Sequence, residues 1–233
     1  MKERFLALFL VFICASLTSM AQAQTPSLPR LPTSGGGGLG LQGSVGAGFT
    51  DYQVSSPKAD FEMDRGIFAA VAIERGFNVL HLYLTLTLSH MTAEGYANYT
   101  YTNLSSSTTY TATDVKFSSS VTDLGLGLKM KLIDDYWFRP YIEVGGLGGY
   151  HQVSYTSKHD TLAASGSDYK SKDVVMGSGY YGEAGIEAMF SDRFGVKIAA
   201  RQSHYETKKL QTLSDRPLRF VSETYYFALL FGM

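Results

Sequence analysis

Residues 80–90 read "LHLYLTLTLSH", in which Leu80, Leu82, Leu84, Leu86 and Leu88 alternate with His81, Tyr83, Thr85, Thr87 and Ser89. Apolar character with a period of two marks a β-strand with one apolar and one polar face, because successive side chains point to opposite sides. The pattern recurs. From Leu39 onward the chain divides into eight such runs, including "VTDLGLGLKMKLI" with Leu124, Leu126 and Leu128, "WFRPYIEVGGLGGYH" with Ile142 and Val144, and "YGEAGIEAMF" with Ile186. "FGVKIAARQS" carries Val196 and Ile198, and the closing "ETYYFALLFGM" carries Phe227 and Leu229.

The connections between runs alternate in length. "RGFN", "DDY" and "SDR" are tight and hold the Gly, Asp, Asn and Ser that turns require, whereas "QVSSPKADFEMD", "YANYTYTNLSSSTTYTAT", "TSKHDTLAASGSDYKSK" and "ETKKLQTLSDRP" are long and polar. An even number of strands, with short turns at one end and long loops at the other, describes an all-β, eight-stranded up-and-down antiparallel transmembrane β-barrel.

Alternation alone also suits a soluble barrel with its leucines inward. Three features favour leucines facing lipid. The opposite face is small, with Ser44, Gly46, Gly48, Ala70, Ala72, Gly125, Gly127, Gly145 and Gly185, as a narrow interior needs. It also carries a nearly balanced charge set: Glu74, Glu143, Glu183 and Glu187 against Lys129, Lys131, Arg139, Lys197 and Arg201. These must pair among themselves, since a buried lone charge is costly. Finally, Trp137, Phe138, Phe190, Phe194 and Phe231 lie beside the short turns and Tyr52, Tyr150 and Tyr205 toward the long loops, as two aromatic belts at the headgroup levels. A mean hydropathy of −0.04 is compatible with this, because in a barrel polar residues alternate with apolar ones.

The start of the chain sets the compartment. Met1-Lys2-Glu3-Arg4, the apolar "FLALFLVFICASLTSM" and Ala21-Gln22-Ala23 form a secretory signal peptide over residues 1–23. Residues 24–38, "QTPSLPRLPTSGGGG", read as a flexible periplasmic leader, and residues 39–233 as the barrel. The one cysteine, Cys14, falls in the signal segment, so disulfides and thiolate metal sites are excluded after cleavage. A formal net charge of −1 argues against a nucleic-acid partner.

The stretches "FRPYIEVGGLGGY" (138–150) and "GEAGIEAMFSDRFGVKIAAR" (182–201), with the aromatic last strand, resemble the small Gram-negative outer-membrane β-barrel family of OmpA/OmpW-like eight-stranded barrels. The resemblance implies an outer-membrane location, contact with outer-membrane lipid and lipopolysaccharide, and recognition of the C-terminal strand by the barrel-insertion machinery. Its members usually end on an aromatic residue; here Phe231 is followed by Gly232 and Met233.

Eight strands enclose a space just wide enough for side chains to fill. The charge set is therefore expected to plug the lumen, giving a structural or surface-interaction role, with the Tyr-, Ser- and Thr-rich loops offered to a surface partner. The alternative is a narrow channel for ions or small hydrophobic molecules. A lipid A-modifying enzyme is the remote third reading. Some barrels of that class carry a histidine and a serine two residues later on one strand; here Ser203 precedes His204, and neighbours on a strand face opposite ways. The remaining histidines are scattered without ligand spacing, so no metal, catalytic group or cofactor is expected.

Overall fold

In the computed structural model the described residues are 41–55, 59–77, 81–103, 108–133, 137–157, 169–191, 193–207 and 218–232. The signal segment, the leader and Leu80 lie outside them. Among the described residues there are nine β-strands: β1 (Leu41–Ser55), β2 (Ala59–Met63), β3 (Gly66–Gly76), β4 (Leu82–Asn103), β5 (Thr108–Lys131), β6 (Phe138–Ser157), β7 (Tyr169–Met189), β8 (Phe194–Thr207) and β9 (Arg219–Gly232). β2 and β3 lie end to end along β4 and form one stave. Each stave pairs antiparallel with its sequence neighbours, and β1 pairs with β9, so the sheet closes as an eight-stranded barrel.

The register defines the shape. Stepping across paired residues from Gln42 leads through Glu74, Thr85, Gly127, Gly145, Tyr181, Ser203 and Ser222 and returns to β1 at Tyr52. That is a stagger of ten residues around eight staves, which tilts the strands by roughly 40°. The stagger is even, so inward residues meet inward residues at closure.

At the end with the tight connections, Ser191 Oγ accepts the backbone N–H groups of Phe194 (3.1 Å) and Arg193 (3.3 Å), fixing the turn from β7 to β8. His81 takes the left-handed conformation (φ 53°) at the entry to β4. The other end departs from the sequence reading. Much of the stretch read as the second long loop is strand, with β4 and β5 still paired at Asn103 and Thr108, and the first contains β2. Alternating Thr and Tyr favour extended backbone, and pairing continues well past the length a bilayer demands.

The outer face has a continuous apolar band. Leu84, Leu86 and Leu88 on β4, Leu124, Leu126 and Leu128 on β5, Val144 on β6, Ile198 on β8 and Phe227 and Leu229 on β9 are exposed, Leu88 by 54%. Leu82, Ile142, Ile186 and Val196 share these outward positions and are half-buried. Toward the long connections the outward positions turn polar: Asp51, Arg65, His90, Thr122, Gln202 and Glu223. No helix among the described residues is long and apolar enough to cross a membrane; the band is carried by strands.

Candidate functional site in the barrel interior

The interior has two storeys. Level with the band, near the short turns, strand register brings opposite charges side by side: Lys129 is paired with Glu143, Glu187 with both Arg139 and Lys197, and Glu183 with Arg201. Glu143 and Glu183 are also direct neighbours, which requires cations on both sides of them.

The side chains meet that requirement across the lumen. The Lys129 ammonium contacts Glu74, Glu187 (3.0 Å) and Glu143 (3.9 Å), and Lys131 contacts Glu74 (2.7 Å) and Glu187 (3.0 Å). Arg201 Nε donates to Glu183 Oε2 at 2.7 Å, with Lys197 at 3.5 Å from Oε1 of the same carboxylate.

Tyrosines join the two groups. Tyr141 O–H donates to Glu183 (2.6 Å) and Tyr181 O–H to Glu143 (2.5 Å). Lys129 sits 4.5 Å from the Tyr141 ring centroid and Arg201 4.3 Å from that of Tyr181, distances at which a cation is attracted to the ring face. All eight charged residues are at most 5% exposed. Glycine makes the room: a Cβ at Gly127 would overlap the Tyr181 hydroxyl. Arg139, beside Glu187 at the inner mouth, is half-buried.

Toward the long connections the filling changes. Phe68, Met91, Val121, Phe117, Val153, Leu218 and Phe220 form one apolar cluster with Tyr52 and Tyr205. Phe61 meets Phe117 edge-on at 4.9 Å, and Tyr52 packs against Phe220 at 5.6 Å. Between the storeys lies a layer of hydroxyls with a single carboxylate, Asp123, which accepts from Ser89 Oγ (3.2 Å) and Tyr205 O–H (2.8 Å).

A model of the outer membrane protein beta-barrel domain matches residues 7–217. The chain belongs to this outer-membrane β-barrel family. No curated protein matches it. Among solved structures it is similar to Neisserial surface protein A (13% identity, 82% of this chain and 96% of that one, TM-score 0.44). It is also similar to OprG of Pseudomonas aeruginosa (11%, 82% and 95%, TM-score 0.43) and to Ail, the attachment invasion locus protein of Yersinia pestis, in its complex with a heparin analogue (9%, 82% and 99%, TM-score 0.42).

Within this outer-membrane barrel, Glu74, Lys129, Lys131, Glu143, Glu183, Glu187, Lys197 and Arg201 are brought together inside. Trp137, Phe138, Phe190, Phe194 and Phe231 are exposed at the short-turn end, with Trp137 edge-on to Phe138 and Phe194 edge-on to Phe231. Tyr150 is exposed near the opposite edge.

Two residues assigned to the belt from the sequence lie elsewhere. Tyr52 and Tyr205 are 4% exposed and point into the lumen. They occupy the inward positions of β1 and β8, and the strands extend far enough to make those positions core. Ser203 also points inward, while His204 is on the outer face, stacked on Tyr180 at 5.0 Å; the two cannot act together. No group of three or more potential metal ligands occurs among the described residues.

Asp123 and His151 were not singled out from sequence as interior residues. The signal was available for Asp123, which shares the inward positions of Gly125, Gly127 and Lys129. For His151 the signal was its place two residues beyond Gly149 on the inward side of β6.

Proposed function

We propose that this protein is a non-enzymatic, structural or surface-interacting outer-membrane barrel, exported through a cleaved signal peptide, with its lumen closed by the Glu/Lys/Arg network. The observation that carries this is the burial of four acids and four bases in mutual contact across the lumen. Side chains so thoroughly enclosed leave no column of water beside them for a hydrated ion to follow. Interaction then falls to the outer end, where the β4–β5 ribbon extends well past the last outward leucine.

The test is single-channel recording in a planar bilayer with the refolded chain, its folding checked by heat-modifiable migration and its insertion proven independently by co-flotation with lipid vesicles. Silence from the wild type and from Glu183→Gln supports a closed lumen. Reproducible discrete steps whose size shifts in Glu183→Gln would make the protein a narrow channel lined by these charges.

A further inference from the structure

At the end of the barrel with the short turns, one outward side chain breaks the apolar band. Arg75 occupies the same phase of β3 as Ile67, Val71 and Ile73 and is exposed with them. Among the described residues it is the one charged side chain that the strands turn outward at this end. Its cross-strand neighbours are Leu41 on β1 and Leu84 on β4, both exposed on the same outer surface. Phe77 follows two residues, or roughly 7 Å of strand, nearer the turn. It too is exposed, and its backbone N–H donates to the carbonyl of Leu82 at 2.8 Å.

Arg75 thus has apolar side chains above, below and on both flanks. It does not stand in the water beyond the membrane, because an aromatic residue of the kind that marks the head-group level lies nearer the turn than it does.

Its lack of a counter-ion sharpens the point. At the polar outer end the cations Arg65, Lys116 and Arg219 each face an acid: Asp51 at 3.0 Å, Glu94 at 3.0 Å and Glu206 at 3.9 Å. The guanidinium of Arg75 makes no hydrogen bond or ion pair with any described residue. Glu74, its neighbour in the chain, points into the lumen, where Lys129 and Lys131 hold it.

A guanidinium keeps its proton, so at the edge of the hydrocarbon it calls for an anion. Its stem is long enough to run beside Phe77 and carry the charged head to the head-group level. There its fork of N–H groups matches two oxygens of a phosphate.

We propose that Arg75, with Phe77 beside it, binds the phosphate of an anionic phospholipid in the leaflet that meets the short turns. A zwitterionic lipid brings a phosphate already balanced by its own ammonium; an anionic one brings the negative charge that Arg75 lacks. The site belongs to one stave and not to the whole rim, since the other staves end outward in residues such as Leu132, Phe138, Phe190 and Phe231. It depends on the barrel lying in a membrane and not on whether its lumen is closed.

The test uses the refolded full chain in phosphatidylcholine vesicles. Phe77→Trp in a Trp137→Phe background puts a single indole beside Arg75, since Trp137 is the one tryptophan of the chain. Quenching by phosphatidylglycerol brominated near its head group is compared with quenching by phosphatidylcholine brominated at the same carbons. The expected result is a preference for phosphatidylglycerol of about fivefold at position 77, the scale of one basic side chain at an anionic surface. It should be retained in Arg75→Lys, lost in Arg75→Gln and unchanged in Arg193→Gln, which alters an exposed cation in the β7–β8 turn. The unmodified chain, whose Trp137 lies three staves away beside β6, should show no preference.

A preference that is absent at position 77, survives Arg75→Gln or is matched at Trp137 overturns the proposal. So does its loss in inorganic phosphate but not in chloride of equal ionic strength, which would make the site one for the free anion. If the reporter chain does not fold, native mass spectrometry of the unmodified chain and of Arg75→Gln in equal parts of the two lipids decides. One phosphatidylglycerol retained only by the unmodified chain supports the site, and equal retention by both overturns it.

Discussion

The two storeys of the interior are filled by opposite chemistry although the same staves build both. Near the short turns the walls enclose paired charges; toward the long connections they enclose phenyl rings, aliphatic chains and methionine. The difference follows from what lies outside. Where the exterior is the leucine band, lipid takes the apolar side chains and the lumen is left to polar ones. Where the exterior carries Asp51, Arg65, Thr122 and Glu223, it meets water, and the lumen must supply the hydrophobic burial. The molecule is a membrane barrel at one end and has the inside of a soluble barrel at the other.

The comparison can be broken first at the network. Glu183→Gln removes the carboxylate charge facing Arg201 and Lys197 and leaves two buried cations short of a partner. A loss of about 3–5 kcal/mol is expected in urea unfolding, little relieved by added salt because the site is enclosed. Partial rescue by high salt would mean that water reaches the network.

In the outer storey, Phe220→Ala deletes a ring that packs against Tyr52 and His151. Its expected cost is about 3–4 kcal/mol, as for a large-to-small change in a soluble core. The network should stay intact, so protease resistance at the short-turn end should persist. Simultaneous loss at both ends would show that the storeys unfold as one.

The smallest effect belongs to the exposed pair of Lys116 and Glu94, 3.0 Å apart on the outer wall. Glu94→Ala should leave the unfolding midpoint where it was, because water already solvates both groups. A clear shift would mean that this face is covered in the folded protein.

The barrel was readable in the sequence because period two survives in all eight runs, and the network was readable because charge on the face opposite the leucines has only the lumen to occupy. What was not readable was the height at which the outside stops being lipid. Along β5 the positions of Leu124, Leu126 and Leu128 face out, and the same phase continues as Thr122, Ser120 and Ser118; the inward phase changes from Lys129 and Gly127 to Val121, Phe117 and Val115. The strand does not break there. Only the hydrophobic phase reverses, so an apolar-out rule applied to the whole strand misreads its outer half as loop. Tyr52 and Tyr205 were misplaced for this reason: beyond the reversal, a tyrosine on the inward phase is core.

One stave carries the reversal differently. Between Met63, opposite Gly95, and Ile67, opposite Thr92, β2 and β3 place three residues against two. That single extra residue is a β-bulge, and it puts odd-numbered Phe61 and Met63 on the same side as even-numbered Phe68. The stave therefore has two reading frames, an even one that runs through the bilayer as far as Phe68 and an odd one beyond the bulge. Removing one residue at Asp64 or Arg65 would merge them, turning Phe61 and Met63 to the water and Glu62 to the core. A single-codon deletion would thus invert the outer part of this strand while leaving its membrane part spelled as before.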